Sequence, residues 1–200
     1  MDFTKEIKGH TLEYFDDIHV YLVDGMRIPS VTGIMKCKFG HKYDFVNPQL
    51  LERSARAGTA VHEAIENYCK YGEVENLIEL RNFRFLEEKF NFKPIDNEVP
   101  VVLFEGDEPI CTGRLDLVID INNELGLADI KHVSTIDKNY LAYQLNMYRL
   151  AYQQCYGLEI KHLHGIQLKD NKRKFIDIPI NEDLVTEIIE EWRKQNEQHK

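Results

Sequence analysis

Cysteine is scarce in this chain of 200 residues: four occur, at positions 37, 69, 111 and 155, and no two form a CxxC pair. No His/Cys spacing suits a zinc cluster either, so a structural zinc module is excluded. Long apolar runs are missing as well. Without a stretch of about 18 apolar residues, no helix is expected to span a membrane. There is no internal repeat and no low-complexity segment. Positive charge is in deficit, 25 Lys and Arg against 34 Asp and Glu, for a formal net charge of −9. Taken alone, that balance argues against a nucleic-acid partner. Bulk charge describes solubility more than local field, however, and a metal site itself needs a surplus of carboxylates. Isolated cysteines and no signal-peptide pattern lead to an expectation of reduced thiols and a cytoplasmic location, in a bacterial or phage-infected cell.

What the chain does have is apolar content, 43% hydrophobic residues, enough for one substantial core and one domain over residues 1–200. Acidic residues concentrate at Glu73 to Glu79 and Glu182 to Glu191. Basic ones gather at Lys36, Lys38 and Lys42, at Arg53 and Arg56, and in the run from Lys169 to Lys174, which reads as a solvated hairpin turn. Residues 10–31 suggest short strands broken at Asp16-Asp17 and Asp24-Gly25. Ser30 and Thr32 suit the start of a helix, and Pro48 suits the first turn of another that Gly72 ends. Leu80, Phe83, Leu86 and Phe90 carry helical spacing within Leu77–Phe90. Strands are expected at Glu98–Phe104, Cys111–Ile121 and Leu125–Val133. A long helix over Asn139–Tyr156 follows, then strands at His162–Leu168 and Phe175–Ile178, and a final helix capped by Asn181. N-terminal strands and helices to about 92, a core over about 93–180 and a C-terminal helix over about 181–195 give an α/β reading.

The densest signal lies in Gly113-Arg114-Leu115-Asp116 and Asp129-Ile130-Lys131, on two strands joined by Asn122-Asn123-Glu124. Alternate strand residues share a face, so Asp129 and Lys131 point the same way and a paired strand can set Asp116 beside them. A solvated strand face would also accept this pattern. The flanking runs, Leu115, Leu117, Val118 and Ile119 on one side and Leu127, Ala128 and Ile130 on the other, instead suggest strands covered on both faces. A carboxylate placed there is costly unless a cation or partner satisfies it. Two carboxylates and an amine at one sheet end can hold a divalent ion and position a water, the minimum for metal-dependent phosphodiester hydrolysis.

Small residues at Ala57, Gly58 and Ala60 would let the Pro48 helix lie close to the sheet and bring His62 to the cluster, where imidazole is a reasonable manganese ligand. A helix-face histidine satisfied by a neighbour is the alternative. His62-Glu63-Ala64-Ile65-Glu66 lacks the second histidine of HExxH, so a zinc-protease reading fails. Tyr140, Gln144, Tyr148, Tyr152 and Tyr156 recur at four-residue spacing; such a tyrosine stripe is usually core, but the amide of Gln144 needs partners.

In this order (the His62 helix, Glu98, Gly113-Arg114-Leu115-Asp116, Asp129-Ile130-Lys131, Gln144 to Tyr148) the chain resembles the RecB-type branch of the PD-(D/E)XK nuclease superfamily, over about Ser30 to Leu168. The resemblance implies a restriction-endonuclease-like core, a central mixed β-sheet flanked by helices. It implies Mg²⁺ or Mn²⁺ held by His62, Asp116, Asp129 and the Ile130 carbonyl, and Lys131 acting on the attacking water. Glu98 matches a strand glutamate of the family that joins the catalytic group. Gln144 and Tyr148 would brace the site and touch the substrate strand, and Ser30, Thr32, Arg56 and Arg114 would meet nucleic acid. Members with an iron–sulfur cluster carry one upstream cysteine and a close trio downstream. Only Cys155 lies downstream here, so no such cluster is expected. The implied activity is that of a stand-alone DNA nuclease, an exonuclease on single strands or ends, with a recombination or replication protein as a further partner and no membrane. A structure-specific endonuclease on the same core, and a non-catalytic inhibitor or adaptor that keeps the fold, stay open as alternatives.

Overall fold

The structure, a computed structural model, describes residues 2–40 and 47–197. Lys42, one of the basic residues noted above, lies outside the described residues. The chain forms a mixed α/β fold with two sheets. The first has four antiparallel strands in sequence order: β1 (Phe3–Ile7), β2 (His10–Phe15), β3 (Val20–Val23) and β4 (Met26–Ile28). Three helices follow, α1 (Val31–Phe39), α2 (Pro48–Tyr71) and α3 (Ile78–Phe90). The second sheet takes β5 (Phe92–Glu105), β6 (Glu108–Ile121), β7 (Glu124–Lys131), β8 (His162–Lys169) and β9 (Lys172–Asp177), again in sequence order. Its strands are antiparallel except β7 and β8, which run parallel because α4 (Lys138–Tyr156) crosses between them. Helix α5 (Asp183–Glu197) comes last. Among the described residues no helix is long and apolar enough to cross a membrane.

Local chemistry accounts for the helix boundaries. Ser30 caps α1 by accepting from the Gly33 N–H, and Asn47 caps α2 by accepting from Gln49, with Pro48 in the first turn. Gly72 and Gly157 close α2 and α4 in the left-handed conformation, at φ of 70° and 68°. Asn181 accepts from the Asp183 N–H and so starts α5. The Lys169 to Lys174 run is indeed a hairpin turn between β8 and β9.

The five-stranded sheet is covered on both faces, as the apolar runs require. Leu115, Val118 and Leu127 join a core with α1, α4 and α5. Leu117, Ile119, Ala128 and Ile130 join another with Val61 and Ile65 of α2 and Leu80, Phe83 and Leu86 of α3. A smaller core (Ile7, Leu12, Val23, Val102 and Phe104) seats the first sheet on β5.

Two boundaries differ from expectation. The N-terminal sheet begins at Phe3 rather than His10, and β5 begins at Phe92 rather than Glu98. Pro94 and Asp96 read as strand breakers, yet the strand passes them through a register shift between those two residues. In the acidic stretch Glu73 and Glu75 are exposed, but Glu79 turns inward. It is buried, accepts a hydrogen bond from the Asp170 N–H at 3.0 Å and faces His132 at 3.5 Å. The tyrosine stripe of α4 is mostly core: Tyr148 and Tyr152 are buried, and the Tyr156 hydroxyl donates to the Pro100 carbonyl.

Candidate metal centre and cleft

Strand pairing brings the two motifs together. The Leu117↔Ala128 register sets the Asp116 end of β6 beside the Asp129 end of β7. The Ile130 N–H donates to Asp116 Oδ2 at 2.6 Å, which fixes that carboxylate at the open end of the strand pair. On the neighbouring β5, the ladder pairs Asn97↔Leu117 and Val99↔Leu115 and leaves Glu98 in the gap opposite Asp116. Glu98 has a φ of 50°, in the left-handed region that non-glycine residues seldom adopt. One carboxylate oxygen of Glu98 meets Arg114 Nε at 2.5 Å and the other lies 3.8 Å from His62 Nδ1.

Helix α2 supplies His62 from above, as its small residues allow. Gly58 packs close to His132, where an added Cβ would stand 3.9 Å from the His132 Cβ. His62 Nε2 lies 3.1 Å from the Ile130 carbonyl oxygen, and its Nδ1 lies 3.7 Å from Asp116 Oδ1. One ligand atom each from His62, Glu98 and Asp116 fall within 4.8 Å of one another. An imidazole and two carboxylates at that spacing fit a divalent cation with mixed N/O preference.

The expected ligands Asp129 and Ile130 sit differently. Asp129 stands beside the group rather than in it, its Oδ2 held by Lys131 Nζ at 2.7 Å, while the Ile130 carbonyl is occupied by His62. Lys131 Nζ also donates to Gln144 Oε1 at 3.0 Å and lies 5.9 Å from the centre of the Tyr140 ring. The amide of Gln144 therefore has the partner that its burial demanded. Gln144 and Tyr148 are both buried and brace the site from α4. Tyr148 crosses directly under Gly113, where any Cβ would come within 2.9 Å of its ring.

Electrostatics follow from this crowding. Burial pushes the Asp116 and Asp129 carboxyls up; the charge of Glu98 adds to the shift of Asp116, and that of Asp116 to the shift of Asp129. Burial opposes the charge on His62, but Asp116, Glu98 and Asp129 outweigh it and raise the imidazole to about 9. Lys131 is likewise raised, since Asp129 and Asp116 overcome its burial.

The cluster forms the floor of a cleft with a volume of about 490 Å³. Ser30, Thr32 and Arg114 line it, with Ser30 and Thr32 hydroxyls 3.1 Å apart. Arg56 does not: it is exposed on α2 and pairs with Glu52 at 2.6 Å. Tyr14, His19, Tyr21, Ala55 and Thr59 also line the cleft and were not singled out by sequence reasoning. A readable sign was there for the tyrosines, because Asp16-Asp17 marks a hairpin that makes Tyr14 and Tyr21 cross-strand partners.

No protein-family model and no curated protein matches the chain. Among solved structures, a chain described as "Crystal structure of SSO0001" is similar over 83% of this chain and 75% of its own length, at 17% identity and a TM-score of 0.42.

Proposed function

We propose that this chain is a Mg²⁺- or Mn²⁺-dependent nuclease that hydrolyses DNA phosphodiester bonds, working on single strands or ends. The observation that carries the reading is the convergence of His62, Glu98 and Asp116 within 4.8 Å, beside a lysine held by Asp129 and Gln144. Structural needs alone do not account for so many charged groups at the end of a strand pair that is apolar on both faces.

His62, Glu98 and Asp116 would hold the cation, with Asp129 adjacent. When bound, the ion supplies Lewis-acid polarisation of the phosphate and a more acidic water. The protein's own part is positioning. The Ile130 N–H keeps Asp116 from rotating away. Asp129 and Gln144 aim the Lys131 ammonium, which stays protonated between two carboxylates. A fixed cation there orients a water and offsets negative charge that grows on the phosphate during attack, and it does so without reorganising. Gly113 lets Tyr148 close the floor of the cleft.

The deciding assay incubates end-labelled linear and circular DNA, single- and double-stranded, with Mg²⁺, Mn²⁺ or EDTA. Metal-dependent shortening of linear strands is expected. No cleavage with either ion would overturn the reading and favour a binding protein on this fold.

A further inference from the structure

The inner face of the N-terminal sheet changes character along its length. Near β5 it is aliphatic, where Leu12 and Val23 pack on Val102 and Phe104. One pair further along, at Tyr14↔Tyr21, it becomes aromatic and forms a wall of the cleft. The two rings lie 4.5 Å apart between centroids and tilt by 30°. Tyr14 is buried, backed by Phe3 at 5.5 Å, and its hydroxyl meets His19 Nδ1 at 2.8 Å. Tyr21 is half-buried and His19 is exposed, so these two offer ring surface to the cleft.

Helix α2 also lines the cleft, with Ala55, Gly58 and Thr59. The lining is therefore aromatic where the sheet contributes and small-sided where α2 does, and it includes the cation group and Arg114. Arg114 joins the two chemistries, with its Cζ 5.5 Å from the Tyr14 ring centre and its Nε on Glu98. The cavity, about 490 Å³, falls in the range of about 300–1,000 Å³ that holds one small ligand. That is room for a nucleotide unit.

We propose that this slot is a base-stacking subsite, in which Tyr21, supported by Tyr14 and flanked by His19, receives one unpaired base next to the phosphate at the cation group. The inference rests on the nuclease reading and deepens it by naming an unpaired strand as the substrate. Stacking requires a free base face, which a duplex interior withholds, and every base has one, so the slot selects strandedness rather than sequence. The ring surface comes from β2 and β3, since the tyrosines of α4 are mostly core.

The test measures binding by fluorescence anisotropy in Ca²⁺, using a labelled oligothymidylate and a blunt hairpin duplex. Tyr21→Leu should weaken the single strand about ten-fold, as loss of one stacked base does, and leave the duplex unchanged. Tyr21→Phe, which keeps the ring, should bind within about two-fold of the original. If Tyr21→Leu does not fold, Ala55→Trp carries the test. It fills the slot from an exposed helix position and should lower single-strand affinity at an unchanged melting temperature. Wild-type single-strand affinity in Tyr21→Leu, or an equal loss on the duplex, would overturn the subsite. Cleavage of the same oligothymidylate in Mg²⁺ and Mn²⁺, read in parallel, separates the two readings. Binding through Tyr21 without any cleavage removes the nuclease and keeps the slot, while cleavage with Tyr21-independent binding does the reverse.

Discussion

Lys131 and Arg114 stand beside the carboxylate group, and each is tied to a different acid. Lys131 is held by Asp129 and Gln144, outside the three-residue group, so its removal should spare cation binding. Lys131→Ala is expected to lower cleavage on the order of 10²-fold while calorimetric Mn²⁺ affinity stays near the original. A matching fall in Mn²⁺ affinity would make Lys131 part of the ion site instead. Arg114 occupies one oxygen of Glu98, a residue of the proposed ligand set. Arg114→Gln removes that competitor, and tighter Mn²⁺ binding together with weaker DNA binding is the expected pair of changes. Weakening of both in a folded variant would show that Arg114 holds Glu98 in place for the ion rather than competing with it. Glycine 113 is constrained for a steric reason. Gly113→Ala would place a methyl 2.9 Å from the Tyr148 ring, and a loss of about 1–3 kcal/mol in denaturant unfolding is expected.

At the scale of elements, much of the site was legible because strands announce themselves by apolar runs and period. Asp129 and Lys131 share a face, as the period of two requires, and β6 pairs with β7 through the turn that Asn122 and Asn123 mark with positive φ. Helices α2 and α4 were readable from Pro48, Gly72 and Gly157. What stayed hidden depended on tertiary context. The start of β5 was masked by Pro94 and Asp96, and the positive φ of Glu98 has no sequence sign. The Tyr14–Tyr21 pairing was readable from its hairpin, but its place in the cleft was not, because that depends on how a separate sheet seats on β5. Strand β8 carries another consequence of burial. His164 is buried and stacks on Phe175 at 4.2 Å, and its imidazole is depressed to about 4 mainly by desolvation, with Asp177 opposing. The unfolded chain then binds a proton that the folded chain refuses. Stability contributed by the neutral ring is complete above about pH 6.5 and drains as pH falls toward 4, by on the order of 3 kcal/mol at full extent. His164→Phe should flatten the acid limb of a melting-temperature profile between those values. An unaltered profile would mean that the acid sensitivity arises elsewhere.

At the scale of the whole molecule, the proposed function requires a chain with a net charge of −9 to hold a polyanion. The described residues concentrate basic charge away from the cleft. Lys38 is spent on Glu187 and Glu191, Arg56 on Glu52, and the Lys169 to Lys174 turn lies at the β8–β9 edge. Among the described residues, Arg114 lines the cleft and Lys131 stands behind it. Long-range attraction is therefore weak, and affinity must come from short contacts: the ion on a phosphate, Arg114, and stacking in the slot. Counterion release sets a measurable bound on this. Each neutralised phosphate of a single strand contributes a slope of about −0.7 in log K against log salt, so about two contacts give a slope near −1.4. Titrating oligothymidylate binding between low and moderate KCl, at constant Ca²⁺, should return a value in that neighbourhood. It should fall toward half in Arg114→Gln and stay the same in Tyr21→Leu, whose loss is not ionic. A slope several times steeper in the unaltered chain would place the main phosphate track on basic surface outside this cleft.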